Sequence, residues 1–350
     1  MIGVGIIGCN YGRTVLLPAF RTDPRCEVVA LAGTDAARAG EIARATNVPH
    51  GCGDWQSLVE ERSVSAVAVA VPPQLQPAVA VHALGLGKAV FVEKPLAADL
   101  AGAKAMLDAA RSARRATIID FNFPELATWQ RAKAMLDGGA IGRLRHVVVN
   151  WNLENQATRL RLKSWKMRGD GGGGLLGNFV SHCFHYLEWF CGAIVGFSAR
   201  MFPMPDGEGE ASIALAIAFA SGAGGSLQMS SASLLGSGHR IEFYGEDGTL
   251  VLANPTLDYF RGFTLLHARR GDAALKPVQV KDMLGDESVD ARIVPVSRLV
   301  RRFLDACENG VPVSPGFADG YRVQYLIDAA RRAHASGSWT EIEPDEEKRR

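Results

Sequence analysis

Val4-Gly5-Ile6-Ile7-Gly8-Cys9-Asn10-Tyr11-Gly12-Arg13 is the stretch from which the rest of the chain is read. An apolar, β-branched run ends on one glycine and meets another four residues later, the pattern of a strand entering a helix through a tight turn. A dinucleotide fingerprint sets Gly-x-Gly-x-x-Gly at such a junction, with the first N–H groups of the helix aimed at the pyrophosphate. Here Gly8 holds the first place, Asn10 stands where the second glycine belongs, and Gly12 comes one residue early. Asparagine tolerates the left-handed conformation better than most residues, so a tight turn stays open to this sequence. A plain strand-to-helix turn is the bland alternative. Position favours the dinucleotide, because the turn follows the first strand of a βαβ unit.

Outward from this turn the first third alternates short apolar runs with helical patterns. Runs at Val28 to Ala32, Val64 to Val71, Ala89 to Val92 and Thr117 to Phe121 read as strands, and the almost wholly apolar Val64 to Val71 reads as one buried on both faces. Helical stretches lie between them at Asp35 to Thr46, Gln76 to Leu86 and Ala101 to Ala113, the last with Asp99 as its cap. This rhythm predicts a Rossmann domain over 1–121, an α/β doubly wound parallel sheet with right-handed crossovers. Beyond it the character changes. A helix is expected from Glu125 to Leu136, another from Leu175 to Phe190 and a last from Ala318 to Ala335. Strands read at Arg145 to Trp151, Ala211 to Ala220, Gly225 to Ser231, Arg240 to Tyr244 and Thr249 to Leu252, spaced as in an antiparallel sheet. Residues 122–345 are therefore expected to form a second α/β domain, and 346–350 a charged tail.

The composition sets limits. With 350 residues, 47% hydrophobic and 21% charged, the chain suits two ordinary globular domains. A net charge of +1 gives no field to attract nucleic acid or an anionic membrane, so a small, locally recognised ligand fits better. The six cysteines form no CxxC pair and have no zinc-ligand spacing, which points to free thiols in a reducing compartment. No secretory leader and no run of about eighteen apolar residues is seen. A cytoplasmic protein is the expectation.

The end of the second strand bears on the cofactor. A carboxylate there would bond the ribose 2′-hydroxyl of NAD, yet the sequence reads Ala32-Gly33-Thr34-Asp35. Gly33 and Thr34 leave room for a 2′-phosphate, and Arg13 or Arg38 could meet its charge. NADP is therefore slightly preferred, while Asp35 keeps NAD open.

Glu93-Lys94-Pro95 follows directly on the strand Ala89 to Val92, and Val71-Pro72-Pro73 closes the strand before it. Further on, Gly172-Gly173-Gly174 leads to His182, preceded by Gly138-Gly139-Ala140-Ile141-Gly142 and followed much later by Asp319-Gly320-Tyr321-Arg322. With the glycine turn, this ordered set resembles the glucose–fructose oxidoreductase/inositol dehydrogenase family (Gfo/Idh/MocA) over nearly the whole chain. The resemblance implies a Rossmann domain followed by an α/β domain with a large, mainly antiparallel open-faced sheet. In the family that sheet often makes the oligomer contact, so a homodimer or homotetramer is expected. Substrates are usually sugars, polyols or their derivatives, oxidised or reduced at a secondary carbinol.

The same resemblance makes Lys94 the catalytic lysine. An ammonium group can stabilise the negative charge that develops on a carbinol oxygen as hydride leaves, and can also touch the cofactor ribose. His182 becomes the proton acceptor, and Asn178, four residues earlier, takes the place of the acidic residue that is commoner in the family. Asn122 is expected near the nicotinamide or substrate, although the arginine usual just beyond is replaced by Pro124 and Glu125. Trp165 and Lys166 lie in a loop that could line the substrate pocket. His185, three residues past His182, reads as a hydrogen-bonded pocket or core histidine rather than a ligand, and no metal is expected. Two other activities stay open on sequence alone: a nicotinamide-dependent glycoside hydrolase of the same build, and a non-catalytic cofactor-binding regulator.

Overall fold

The computed structural model describes residues 1–160, 166, 169–204 and 209–343. The chain divides into two compact units, Met1–Asn122 with Leu284–Gln324, and Phe123–Met283 with Tyr325–Arg350. The first break falls one residue from the boundary expected from sequence. The segment Leu284–Gln324, which a contiguous division gives to the second domain, clusters with the first.

The first unit carries a six-stranded sheet, entirely parallel, ordered β3-β2-β1-β4-β5-β6. Its strands are β1 (Ile2–Ile7), β2 (Cys26–Ala32), β3 (His50–Cys52), β4 (Ala66–Val69), β5 (Ala89–Val92) and β6 (Thr117–Ile119). The whole of β4 and β5 is buried, as a parallel strand covered on both faces requires. Asp35, Asp54 and Asp99 each cap a helix by accepting a backbone N–H three residues on. The amphipathic helix Ile293–Asn309 joins this core through Val296, Leu299, Val300, Phe303 and Leu304. Phe303 meets Phe91 of β5 and Phe20 edge-on, at ring centroid distances of 5.9 and 6.3 Å.

The second unit carries a nine-stranded sheet ordered β14-β13-β12-β11-β7-β10-β9-β8-β15. The strands are β7 (Leu144–Asn152), β8 (Ile194–Pro203), β9 (Glu210–Phe219), β10 (Gly224–Ser230), β11 (Gly238–Gly245), β12 (Gly248–Asn254), β13 (Thr264–Arg269), β14 (Lys276–Val278) and β15 (Thr340–Glu341). Every pairing is antiparallel except β7 with β10. The expected helix at Glu125 to Leu136 forms as a short 3₁₀ turn, Phe123–Glu125, followed by the α-helix Ala127–Asp137. It stops at Gly138, with Gly139 left-handed at φ 71°. No helix among the described residues is long and apolar enough to cross a membrane.

Candidate active site

In the first unit the tight turn after β1 closes on Gly8. Gly8, at φ 113°, supplies the positive backbone angle, and Asn10 is not left-handed. A Cβ at Gly8 would run into the Ala70 carbonyl, so only glycine fits where β1 and β4 end side by side. The Asn10 carbonyl accepts from the N–H groups of Arg13 (3.1 Å) and Thr14 (3.0 Å), which opens the helix. The N–H groups of Tyr11 and Gly12 precede those bonds, at the end of the helix where the first N–H groups have no partner within the helix. The helix starts as a π-turn, Gly12–Leu16, before continuing as Leu17–Phe20. Gly12 has a packing reason to be glycine: a Cβ there would lie 2.7 Å from Ile6 Cγ2. Its expected role in admitting a pyrophosphate is thus joined by close helix–strand packing.

At the end of β2, Gly33 is half-buried, and Thr34 and Arg38 are exposed, as is Arg13 across the turn. A Cβ on Gly33 would meet Cys9 Sγ at 2.9 Å. Burial raises the Cys9 thiol pKa, while Arg38 and Arg13 both pull it down, so two guanidiniums act on this spot. Asp35 is occupied locally, its Oδ1 accepting from Arg38 N at 2.8 Å as the helix cap.

The carboxyl ends of β4, β5 and β6 gather the remaining groups. Val71 is half-buried, Pro72 exposed and Pro73 buried. Glu93 N–H bonds the Val69 carbonyl and Asp120 N–H bonds the Val92 carbonyl, both at 2.9 Å, so the two carboxyl groups leave neighbouring strands side by side. Lys94 comes next, joined to Pro95 by a cis bond. Gln76, 1% exposed, holds the chain beyond it by donating to the Pro95 (2.6 Å) and Leu96 (3.0 Å) carbonyls. The Tyr11 hydroxyl donates to Asp120 Oδ2 at 2.8 Å. Arg292, paired to Asp290 through two hydrogen bonds, sits 5.0 Å above the Tyr11 ring. Asp120 is fully buried, and burial and the Glu93 charge hold its pKa well above the usual carboxylate range. Asn122 is also buried, with no hydrogen-bond partner on Oδ1.

In the second unit the glycine run Gly172-Gly173-Gly174 bends into the helix, with Gly172 and Gly174 left-handed at φ 76° and 67°. Glu210 of β9 fixes the helix start, accepting from Leu175 N at 2.9 Å. A π-turn, Leu176–Val180, precedes the α-helix Ser181–Cys191. A π-turn takes slightly more than four residues for one revolution, so Asn178 and His182, four residues apart, still fall close to one face of the helix. The Asn178 amide donates to the Lys166 (2.5 Å) and Gly174 (2.9 Å) carbonyls, which ties the preceding loop to the helix. Lys166 itself is exposed; Trp165 lies outside the described residues.

His182 is 8% exposed and stands edge-on to the Phe123 ring at 5.0 Å. Phe123 in turn stacks on Trp129 and Phe260. Behind it is a histidine that sequence reading did not find. His239 of β11 is wholly enclosed, stacked on Trp151 at 4.1 Å with its Nε2 3.0 Å from the Tyr186 hydroxyl. Burial depresses its pKa from 6.5 to about 3, so it stays neutral. His185 is half-buried on the same helix as His182. Among the described residues no group of three or more His, Cys, Asp or Glu side chains could hold a metal ion.

A 3-2-1-4-5-6 parallel sheet with a glycine turn after β1 and Glu-Lys-Pro after β5 defines the class: a nicotinamide-dependent oxidoreductase. Comparison with known proteins agrees. Residues 2–121 match the oxidoreductase family with an NAD-binding Rossmann fold, and residues 129–251 match the GFO/IDH/MocA C-terminal domain. An uncharacterized oxidoreductase of Synechocystis sp. is 28% identical, covering 98% of this chain and 96% of its own. Levoglucosan dehydrogenase of Pseudarthrobacter phenanthrenivorans is 25% identical over 87% of this chain and 86% of its own. Among solved structures, a levoglucosan dehydrogenase complexed with NADH and levoglucosan superposes with a TM-score of 0.87 at 23% identity, covering 98% of this chain and 100% of the other. The chain belongs to the Gfo/Idh/MocA oxidoreductase family.

Proposed function

We propose that the protein moves hydride between a nicotinamide dinucleotide and a secondary carbinol or ketone of a sugar, polyol or derivative. The observation that carries this reading is Lys94 at the carboxyl edge of the parallel sheet, where α/β folds take their ligands, next in sequence to Glu93 and near the buried Asp120 that the Tyr11 hydroxyl bonds. The likeness to levoglucosan dehydrogenase supports a sugar-like substrate. The residues present fit the cofactor. The N–H groups opening the Gly12 helix would hold a pyrophosphate, and Asn122 Oδ1 offers a buried acceptor to a carboxamide. Val71, Pro72, Pro73 and Glu93 would line the nicotinamide end. Bound nicotinamide supplies the site that gives or takes hydride. The Lys94 ammonium stabilises the charge developing on the substrate oxygen, and His182 takes or returns its proton. Asn178 fixes the start of the His182 helix and, with Lys166 and His185, stands on the substrate side.

The test is kinetic, with net reduction of cofactor as the readout. His182→Ala is expected to lower kcat by roughly 10²–10⁴-fold. Lys94→Ala is expected to lower it steeply as well. Normal turnover by His182→Ala on a good substrate ends the mechanism.

The cofactor preference proposed is NADP over NAD, supported by Arg13 and Arg38 near Cys9 and by the capping role of Asp35. Gly33→Asp, built in a Cys9→Ala background to make room for the new Cβ, is expected to shift the ratio of dissociation constants toward NAD. Much tighter binding of NAD by the unaltered protein refutes the placement. We also propose a cytoplasmic homo-oligomer with the second unit's sheet as its contact; light scattering that reports a monomer at micromolar concentration contradicts it.

A further inference from the structure

We propose that Asp120 is a positioning residue for Lys94: it shares one proton with Glu93, is clamped by the Tyr11 hydroxyl, and so presents the ammonium with a carboxyl pair of single rather than double negative charge. The proposal rests on the reading of Lys94 given above. Glu93 and Asp120 each follow the last paired residue of adjacent strands, Val92 and Ile119. Asp120 is fully buried, and its two oxygens differ in their surroundings. Oδ2 accepts from Tyr11 at 2.8 Å. Oδ1 is buried with no donor. Glu93 and Asp120 leave adjacent paired strands one residue past Val92 and Ile119, and the Glu93 charge acts on Asp120, yet two ionised carboxylates have no proton to place between them. One proton held by the pair gives Oδ1 its partner and removes the cost of a second negative charge on the buried Asp120 beside the half-buried Glu93. Burial and the Glu93 charge, in that order, both push Asp120 toward keeping that proton.

The charged and titratable groups around Asp120 come from three elements. Tyr11 stands at the start of the helix after β1, Glu93 and Lys94 follow β5, and Arg292, paired with Asp290, lies over the Tyr11 ring. The Tyr11 hydroxyl is itself held well above its ordinary range by burial and by Asp120 and Glu93, so it remains a donor. When alkali removes the shared proton, the second negative charge competes with the substrate oxygen for the Lys94 ammonium, and kcat falls.

Two measurements on the intact enzyme test this. Infrared difference spectra between neutral and alkaline pH should show a protonated-carboxyl band at neutral pH that Asp120→Asn abolishes. The pH profile of kcat should have an alkaline limb that disappears in Asp120→Asn, whose amide supplies a permanent donor to Glu93. In Tyr11→Phe the limb should move to higher pH, because the donor that favours the ionised pair is gone. Asp120→Ala should turn over at least about tenfold more slowly than Asp120→Asn, the carboxamide rescuing the geometry that alanine loses. Absence of the band in the native enzyme, or an alkaline limb unmoved in Asp120→Asn, overturns the proposal. The band needs no turnover, so loss of the shared-proton pair is seen separately from any failure of Lys94 as the stabilising group.

Discussion

Gly12→Ala is the sharpest test of how the cofactor turn is built. The new Cβ would lie 2.7 Å from Ile6 Cγ2, in a part of β1 with no exposure. Ile6 is branched at Cβ, so that methyl can move aside only by a rotamer change inside a packed core. Overpacking of this kind costs about 2 kcal/mol, while alanine regains about 1 kcal/mol over glycine in a helix. The net expectation is a loss of about 1 kcal/mol, read as a lower urea midpoint at unchanged slope. Ile6→Leu moves the branch off Cβ and removes the obstructing methyl. In that background Gly12→Ala should become neutral or stabilising, so the double-mutant cycle carries a coupling of about 2 kcal/mol. Affinity for reduced nicotinamide dinucleotide, followed by fluorescence, should fall in Gly12→Ala and recover with Ile6→Leu, since the helix N-terminus returns to its seat. Equal effects of Gly12→Ala in both backgrounds would refute the packing argument and leave only the approach of the pyrophosphate to explain this glycine.

Asn178→Asp should lower stability by about 1–3 kcal/mol at neutral pH, because a carboxylate would face the Lys166 and Gly174 carbonyls that the amide now serves; unchanged urea unfolding would contradict this. His239 gives a pH dependence of definite sign. Its folded pKa, about 3, lies below its ordinary 6.5, so the unfolded chain takes up the proton first. The stability contributed by neutral His239 is full above about pH 6.5 and falls by about 1.4 kcal/mol per unit as the pH drops toward about 3. In His239→Gln that part of the slope should vanish in urea titrations at a series of pH values, and an unaltered slope would show that another group is responsible.

The repeating elements were legible because burial writes itself into residue type. The wholly apolar β4 and β5 and the capping aspartate at 99 could be read directly. The glycine turn was legible in place but not in detail, since nothing local shows that Gly8 rather than Asn10 takes the positive backbone angle. The helix Ile293–Asn309 had a readable signal in Val296, Leu299, Val300, Phe303 and Leu304, spaced three and four apart, and its membership of the first core is a long-range fact that spacing cannot carry. Lys94 and His182 stood out through their neighbours in sequence. Asp120, Gln76, Glu210 and His239 did not, because each acts on a group distant along the chain. A lone carboxylate ending an apolar strand, as in Thr117-Ile118-Ile119-Asp120, was the one local hint of a buried acid.

The return of Leu284–Gln324 to the nucleotide unit ties synthesis to assembly. On the ribosome, residues 1–122 emerge complete in their strands but lacking the helix that covers Phe20 and Phe91. Until more than 160 further residues have been made, that apolar face has only solvent or a chaperone against it, and the contacts that finally close it are among the most non-local in the molecule. The nucleotide unit is therefore not a cassette that evolution or an engineer can excise at its first boundary. A recombinant made by joining residues 1–122 to a foreign partner would inherit an unclosed core, whereas exchanging the stretch between Phe123 and Met283 leaves both halves of that core on the same chain.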